Sequence, residues 1–163
     1  MWSFIREVEP RGFLAARENG ELLGYAIYVP SLKRVQRAAI MRGAIVRWAL
    51  AALRGGFGIR LRAIPNILLN KLLFVRSGSR YRSRGDAQLL NLAVDPAAQG
   101  RGVATALVRA GLLVMRNLGL AEVRLEVRPW NRGALRLYEK TGWREVGRTR
   151  DLEGEWVVMV ANP

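Results

Sequence analysis

The chain has 163 residues, half of them apolar, with 27 basic against 13 acidic side chains and neither cysteine nor histidine. That length fits one domain, 1–163, with enough apolar material to bury a core. The composition excludes disulfides, thiolate nucleophiles, Cys/His metal sites and a histidine base, so catalysis would fall to Glu, Asp, Tyr, Lys, Ser or the backbone.

The net charge of +14 is unevenly spread. Residues 1–30 carry −1 and residues 86–163 carry +2, whereas residues 31–85 hold thirteen basic side chains and no acid. The opening MWSFIREVEPRG is charged throughout and has no apolar h-region of a signal peptide. No uninterrupted apolar run of roughly 18 residues marks a spanning helix. A cytoplasmic protein is expected.

In chain order, residues 12–30 read as a β-hairpin about Asn19-Gly20, a type I′ turn signal. Lys33 to Leu53 and Pro65 to Val75 look helical, separated by Gly55-Gly56, although the arginines of the first stretch share no narrow face. SGSRYRSRG (77–85) is a polar, basic connector. Residues 87–94, AQLLNLAV, read as a strand buried on both faces. Gly102 to Leu118 is a helix with Val103, Ala106, Leu107, Ala110 and Val114 at helical spacing and Gly119 as its C′ residue. Residues 121–128 alternate as a strand. Asn131 to Thr141 is a short helix, N-capped by Asn131, with Leu135 and Tyr138 on one face. Strands near 143–150 and 155–161 follow, joined by a turn about Asp151–Gly154. The order is that of an α/β (α+β) domain.

The residues Gln99-Gly100-Arg101-Gly102, between a strand and a helix, have the makings of an anion site. A helix N-terminus presents unpaired N–H groups and a positive dipole end. Gly100 and Gly102 allow close approach to the backbone, and Arg101 adds a cation. A P-loop is excluded because no Lys-Ser or Lys-Thr follows, and a dinucleotide fingerprint because Thr105 stands where the third glycine belongs. A glycine-rich turn without a ligand accounts for this stretch alone about equally well.

The wider pattern is more specific. Gln99-Gly100-Arg101-Gly102-Val103-Ala104 resembles the Q/R-x-x-G-x-G/A signature of the GNAT superfamily of N-acetyltransferases. LEVRPWNRGALRLYEKTGW (125–143) resembles the strand, loop and helix of its ribosomal-protein N-terminal-alanine acetyltransferases. The resemblance implies an acyl-CoA N-acyltransferase fold, a mixed central sheet flanked by helices. It implies an acetyl-CoA-dependent N-acetyltransferase acting on a primary amine, of a protein N-terminus or a small molecule, by direct attack. Leu92, Ala93 and Val94 would lie beside the pantetheine arm, and Gln99, Gly100, Arg101, Gly102, Val103 and Ala104 about the pyrophosphate. Asn131 would contact coenzyme A or fix its loop, Glu126 would be the base, and Tyr138 the acid that protonates the thiolate. Read without the resemblance, Tyr138 is core beside Leu135, Glu126 sits on a solvated face beside Arg124 and Arg128, Asn131 is a cap and Gln99 introduces the helix.

Two departures from the family stand out. Only eleven residues precede Gly12, so the first strand and helix of the pattern are missing and Met1–Glu9 supplies at most a remnant of the second helix. The basic segment 31–85 is a helical insertion between the family's third and fourth strands. IMRGAIVRWALAAL and IPNILLNKLLFV are too apolar for solvation all round. Residues 33–76 are therefore expected to bury against this domain, a second subunit or a membrane surface, with self-association or membrane contact ahead of nucleic acid. The competing class is a non-catalytic module that keeps the coenzyme A fold and binds through this arm.

Overall fold

The computed structural model describes residues 6–7, 9–41, 43 and 84–163. Arg6 and Glu7 are helical, and a single turn over Pro10–Gly12 leads into the sheet. Strands β1 (Phe13–Glu18) and β2 (Glu21–Val29) pair antiparallel. Asn19 and Gly20 between them have φ of 50° and 86°, as a type I′ turn requires. Helix α1 (Leu32–Met41) follows, and the description resumes before strand β3 (Gln88–Val94). Then come a turn over Pro96–Ala98, helix α2 (Val103–Asn117), strand β4 (Val123–Val127), helix α3 (Arg132–Lys140) and strands β5 (Arg144–Asp151) and β6 (Gly154–Ala161). The helix expected over 33–53 is thus described only to Met41; the one over 65–75, the Gly55-Gly56 break and most of the 77–85 connector lie outside the described residues.

The six strands form one mixed sheet in the order β1-β2-β3-β4-β6-β5, parallel only between β3 and β4. α2 crosses β1, β2 and β3 on one face. The main core lies there, with Tyr28, Leu89, Val108, Met115, Leu125, Val127, Tyr138 and Trp143. A smaller cluster of Ile27, Val29 and Val35, packed with Phe13, Tyr25 and Leu90, carries α1. The ten described residues of α1 are more amphipathic than the longer stretch suggested: Val35 is buried while Lys33, Arg34 and Arg37 are exposed.

Two sequence expectations need correction. The buried stripe of α2 is Leu107, Val108, Gly111 and Met115, whereas Ala106 and Ala110 are exposed. The cause is Tyr28. A Cβ on Gly111 would stand 2.0 Å from the Tyr28 ring, and the Tyr28 hydroxyl donates to the Val108 carbonyl at 3.2 Å. Seating an aromatic ring under Gly111 buries far more area than two alanine methyls could.

β3 is not buried on both faces. Leu89 alone is buried and the other six residues are half-buried. β3 and β4 pair only at Gln88 and Arg124, reinforced by Arg124 N–H to the Ala87 carbonyl at 2.9 Å. Beyond that point they part, so β3 has an open edge. The β2–β3 ladder also slips: Asn91 faces Ile27 and Leu89 faces Tyr28, leaving Leu90 unpaired in a bulge.

Candidate functional site

Where β3 and β4 part, a cavity of about 280 Å³ opens, lined by Leu90, Asn91, Glu126, Arg128, Tyr138 and Trp156 among others. It lies where the sheet's one parallel pair, flanked on both sides by antiparallel strands, splays open, and clefts of this kind commonly admit ligands. Alternation along β4 sends Val123, Leu125 and Val127 into the main core, so Arg124 and Glu126 take the opposite face. Tyr138 comes from α3 on the core face. The gap therefore brings to one cavity two groups that belong to opposite faces of the sheet.

Tyr138 is at once a core residue and part of the cavity lining. It is 8% exposed, its ring centroid lies 5.8 Å from that of Trp143, and it lines the cavity. Burial pushes its phenol up to about 12, so it is a neutral proton donor at ordinary pH.

Glu126 is not on a solvated face. Its side chain is 24% exposed and its Oε1 accepts from Arg124 at 2.5 Å. Burial raises its pKa, the Arg124 guanidinium pulls it back, and Asp151 adds to the rise; the net direction is upward. Arg128 turns away from Glu126. Its guanidinium stacks over Trp156 at 3.6 Å and Trp130 at 5.2 Å, and reaches both carboxylate oxygens of Asp151 at 3.3 and 3.4 Å. Trp156 Nε1 donates to the same carboxylate at 2.8 Å. The cluster ties the end of β4 to the β5–β6 turn. No local motif announced it, because its members meet only across the sheet.

A second groove, of about 510 Å³, runs from the end of β3 over the start of α2 to α3. Of the residues that the resemblance would set about coenzyme A, Leu92, Val94, Gln99, Gly100, Gly102, Val103, Ala104 and Asn131 line it and Ala93 and Arg101 do not. Ala93 pairs with Tyr25 in the ladder, and the Arg101 guanidinium lies 2.5 Å from Glu18 of β1. Leu92, Asn131 and Ala134 line both cavities, so the two are continuous.

The glycines are required by the backbone. Gly100 and Gly102 have φ of 78° and 82°, and space is open where a Cβ would stand. Gly102 is the N-cap of α2, without a side-chain cap and without an acid in the first turn. The first N–H groups of α2 are left for a ligand or solvent. Asn131 is a true cap, its Oδ1 accepting from Ala134 N–H at 3.1 Å, while lining both cavities. Gln99 reaches back to the Val94 carbonyl at 3.5 Å, bracing the end of the strand. Sequence reasoning missed Lys140, which lines the groove from α3; only helix spacing from Gly133 and Leu137 places it there. Among the described residues no cluster of three or more Asp and Glu could hold a metal.

Comparison with known proteins bears on the family and the fold. The pattern of the acetyltransferase (GNAT) family matches residues 1–143. A mycothiol acetyltransferase of Streptosporangium roseum is 52% identical over 50 residues, which is 31% of this chain and 15% of that protein. A [ribosomal protein bS18]-alanine N-acetyltransferase of Haemophilus ducreyi is 39% identical over 61 residues, 37% of this chain and 42% of that protein. The chain thus matches less than half the length of either relative. The crystal structure of the Escherichia coli ribosomal-protein-S18-alanine N-acetyltransferase covers 99% of this chain and 76% of its own, with a TM-score of 0.55 at 18% identity, a likeness of fold.

Proposed function

The chain belongs to the acetyltransferase (GNAT) family, and we propose that it transfers an acetyl group from acetyl-CoA directly to a primary amine. The observation that carries this is the continuous groove. It joins an uncapped, glycine-flanked helix N-terminus to a cavity that holds a raised-pKa carboxyl and a neutral phenol on opposite faces of the sheet.

The start of α2 would hold the pyrophosphate through the N–H groups of residues 100–104, with Lys140 supplying a nearby cation. The open edge of β3 at Leu92–Val94 would bond the amides of the pantetheine arm. Leu90, freed from the ladder by the bulge, offers backbone at the point where the thioester carbonyl needs a donor. Glu126 takes the proton that the ammonium must lose, directly or through water, before nitrogen bonds to the carbonyl carbon. As the carbon–sulfur bond breaks, Tyr138 gives its proton to the sulfur and is reprotonated, directly or through water, by the second proton that the newly acylated nitrogen sheds, and the proton on Glu126 leaves to solvent. With no cysteine in this chain to carry the acetyl group, a direct route is favoured over a cysteine-linked one.

The two relatives act on different acceptors by name, a mycothiol in one and an alanine of a ribosomal protein in the other. The proposal therefore names an amine, on a protein N-terminus or a small molecule, and no narrower acceptor.

The test is calorimetric titration of acetyl-CoA into the protein and into Gly102→Asp, followed by an amine screen with Tyr138→Phe. Micromolar binding lost in the first variant supports the groove assignment, since an acid there opposes the diphosphate. Turnover lower by roughly 10²–10⁴-fold in Tyr138→Phe, with binding intact, supports the acid role. A folded protein that takes up no acetyl-CoA, or a Tyr138→Phe variant of full activity, would overturn the respective assignment.

A further inference from the structure

Neither cavity is lined by any described residue of 31–85, and that segment holds thirteen basic side chains and no acid. Its two ends are pinned together. The Ser31 hydroxyl donates to the Asp86 carboxylate at 2.9 Å, Lys33 N–H to the same oxygen at 2.8 Å, and Leu32 N–H to the Asp86 carbonyl at 3.1 Å. The segment leaves and rejoins the sheet at one point, before Gln88. The acetyl-CoA groove opens at the other end of β3, roughly 20 Å away by the rise of a seven-residue strand.

α1 is the described base of this segment. Val35 fixes one side of it to the sheet, packed on Ile27 and Val29. At 3.6 residues per turn, Ile40, Lys33, Arg37 and Met41 fall in that angular order across the opposite side. All four are exposed, Ile40 by 66% and Met41 by 86%. Large apolar side chains interleaved with cations and free of acids make a face with no purpose in water alone. Beside it lies a depression of about 510 Å³, roomy enough for a phosphodiester headgroup and lined by Lys33, Arg34, Arg37 and Met41 together with Ser31 and one carboxylate, Asp86, whose Oδ2 is engaged by the Ser31 hydroxyl and the Lys33 N–H.

We propose that the exposed face of α1 docks on an anionic lipid surface. Ile40 and Met41 enter the headgroup boundary, and Lys33 and Arg37 pair with lipid phosphates. The chain that continues from α1 has a similar composition, with Trp48 and the largely apolar runs AIVRWALAAL and IPNILLNKLLFV, in which every charged residue is basic. Charge complementarity selects among partners. A second copy would bring an equal positive segment against this one. Nucleic acid would satisfy the cations but leaves Ile40 and Met41 without a use. Since the docking face lies away from the groove, membrane attachment leaves acetyl-CoA free access; the proposal does not depend on the acetyltransferase reading.

The test is sedimentation of the full chain with vesicles of phosphatidylcholine alone and of phosphatidylcholine with phosphatidylglycerol, at low and high salt. Variants are Lys33→Glu/Arg37→Glu and Ile40→Ser/Met41→Ser; Arg34 is left in place because it pairs with Glu9 at 3.5 Å. Circular dichroism and thermal melting confirm that each variant is folded. The expected result is binding to the phosphatidylglycerol vesicles only, weakened by salt. Charge reversal weakens it about 100-fold, and the serine pair weakens it while keeping the salt response. No binding by the folded wild type, equal binding to neutral vesicles, undiminished binding by both variants, or tighter binding to duplex DNA than to vesicles would each overturn it.

Discussion

Glu126 sits between two opposing influences. Burial favours its neutral form, and the Arg124 guanidinium favours its charged form. Arg124 is itself confined: its Nε is buried with no hydrogen-bond partner among the described residues, while its terminal nitrogen donates to Glu126. A base must be deprotonated to work, so under the base role proposed for Glu126 activity emerges as pH rises through its pKa. Arg124→Met removes the influence that holds that pKa down. The acidic limb of the kcat/KM profile should therefore move to higher pH, with the high-pH plateau retained. A profile that keeps its limb in place would mean that another group controls the base step. The Val-Arg-Leu-Glu-Val-Arg run marked Glu126 and both neighbours on the sequence, but which arginine answers it was a matter of side-chain direction. Arg128 is drawn off by Trp156, Trp130 and Asp151, contacts that no spacing reveals.

At the scale of elements, the contact of α2 with β2 is where packing is least forgiving. Gly111→Val would drive a branched side chain into the Tyr28 ring, at a cost of about 1–3 kcal/mol. Tyr28→Phe removes one buried hydrogen bond and leaves the Val108 carbonyl without its extra donor, costing about 1 kcal/mol. Denaturant titration of both variants checks the order. If Gly111→Val proves as stable as the wild type, the account of the helix's rotation fails. Asn131→Ala deletes the cap of α3 and should cost about 1 kcal/mol; an affinity for acetyl-CoA that falls further than this explains would show that Asn131 also contacts the ligand. Helices α2 and α3, their caps and the hairpin turn were legible, because their signals are local: Asn19-Gly20, Asn131 and the glycine at 119. The stripe of α2 was misread by about one residue because Gly111 gives no hydrophobic signal. Its importance lies in what it admits from another strand.

For the molecule as a whole, two carboxylates hold distant pieces together. Burial works against the charged form of Asp86, but the Lys33 N–H, the Ser31 hydroxyl and the Lys33 charge outweigh it and lower its pKa. Burial likewise opposes Asp151, and Trp156, the Glu153 N–H and Arg128 outweigh it. A folded pKa below the unfolded one gives stability that is complete above the ordinary carboxylate value of about 3.9 and is lost as pH falls through the folded value. The denaturation midpoint should therefore hold level near neutrality and drop below about pH 4. Asp86→Asn/Asp151→Asn should start lower and drop less. A double variant with the wild-type acid response would place the acid sensitivity elsewhere.

The family, the α/β order of elements, the glycine-flanked helix start and the identities of Glu126, Tyr138 and Asn131 were all present in the sequence, because each is written in neighbouring residues. The parting of β3 from β4, the bulge at Leu90 and the meeting of Glu126 with Tyr138 across the sheet were decided only by the tertiary structure. These depend on strand register and on which strands sit side by side. Residues 37 positions apart in the chain, such as Leu89 and Glu126, come to line one cavity only when pairing between their strands stops. Charge followed the same division. Its concentration in residues 31–85 could be counted directly, whereas the pinning of that segment by Asp86, at the end of β3 away from the groove, required the fold.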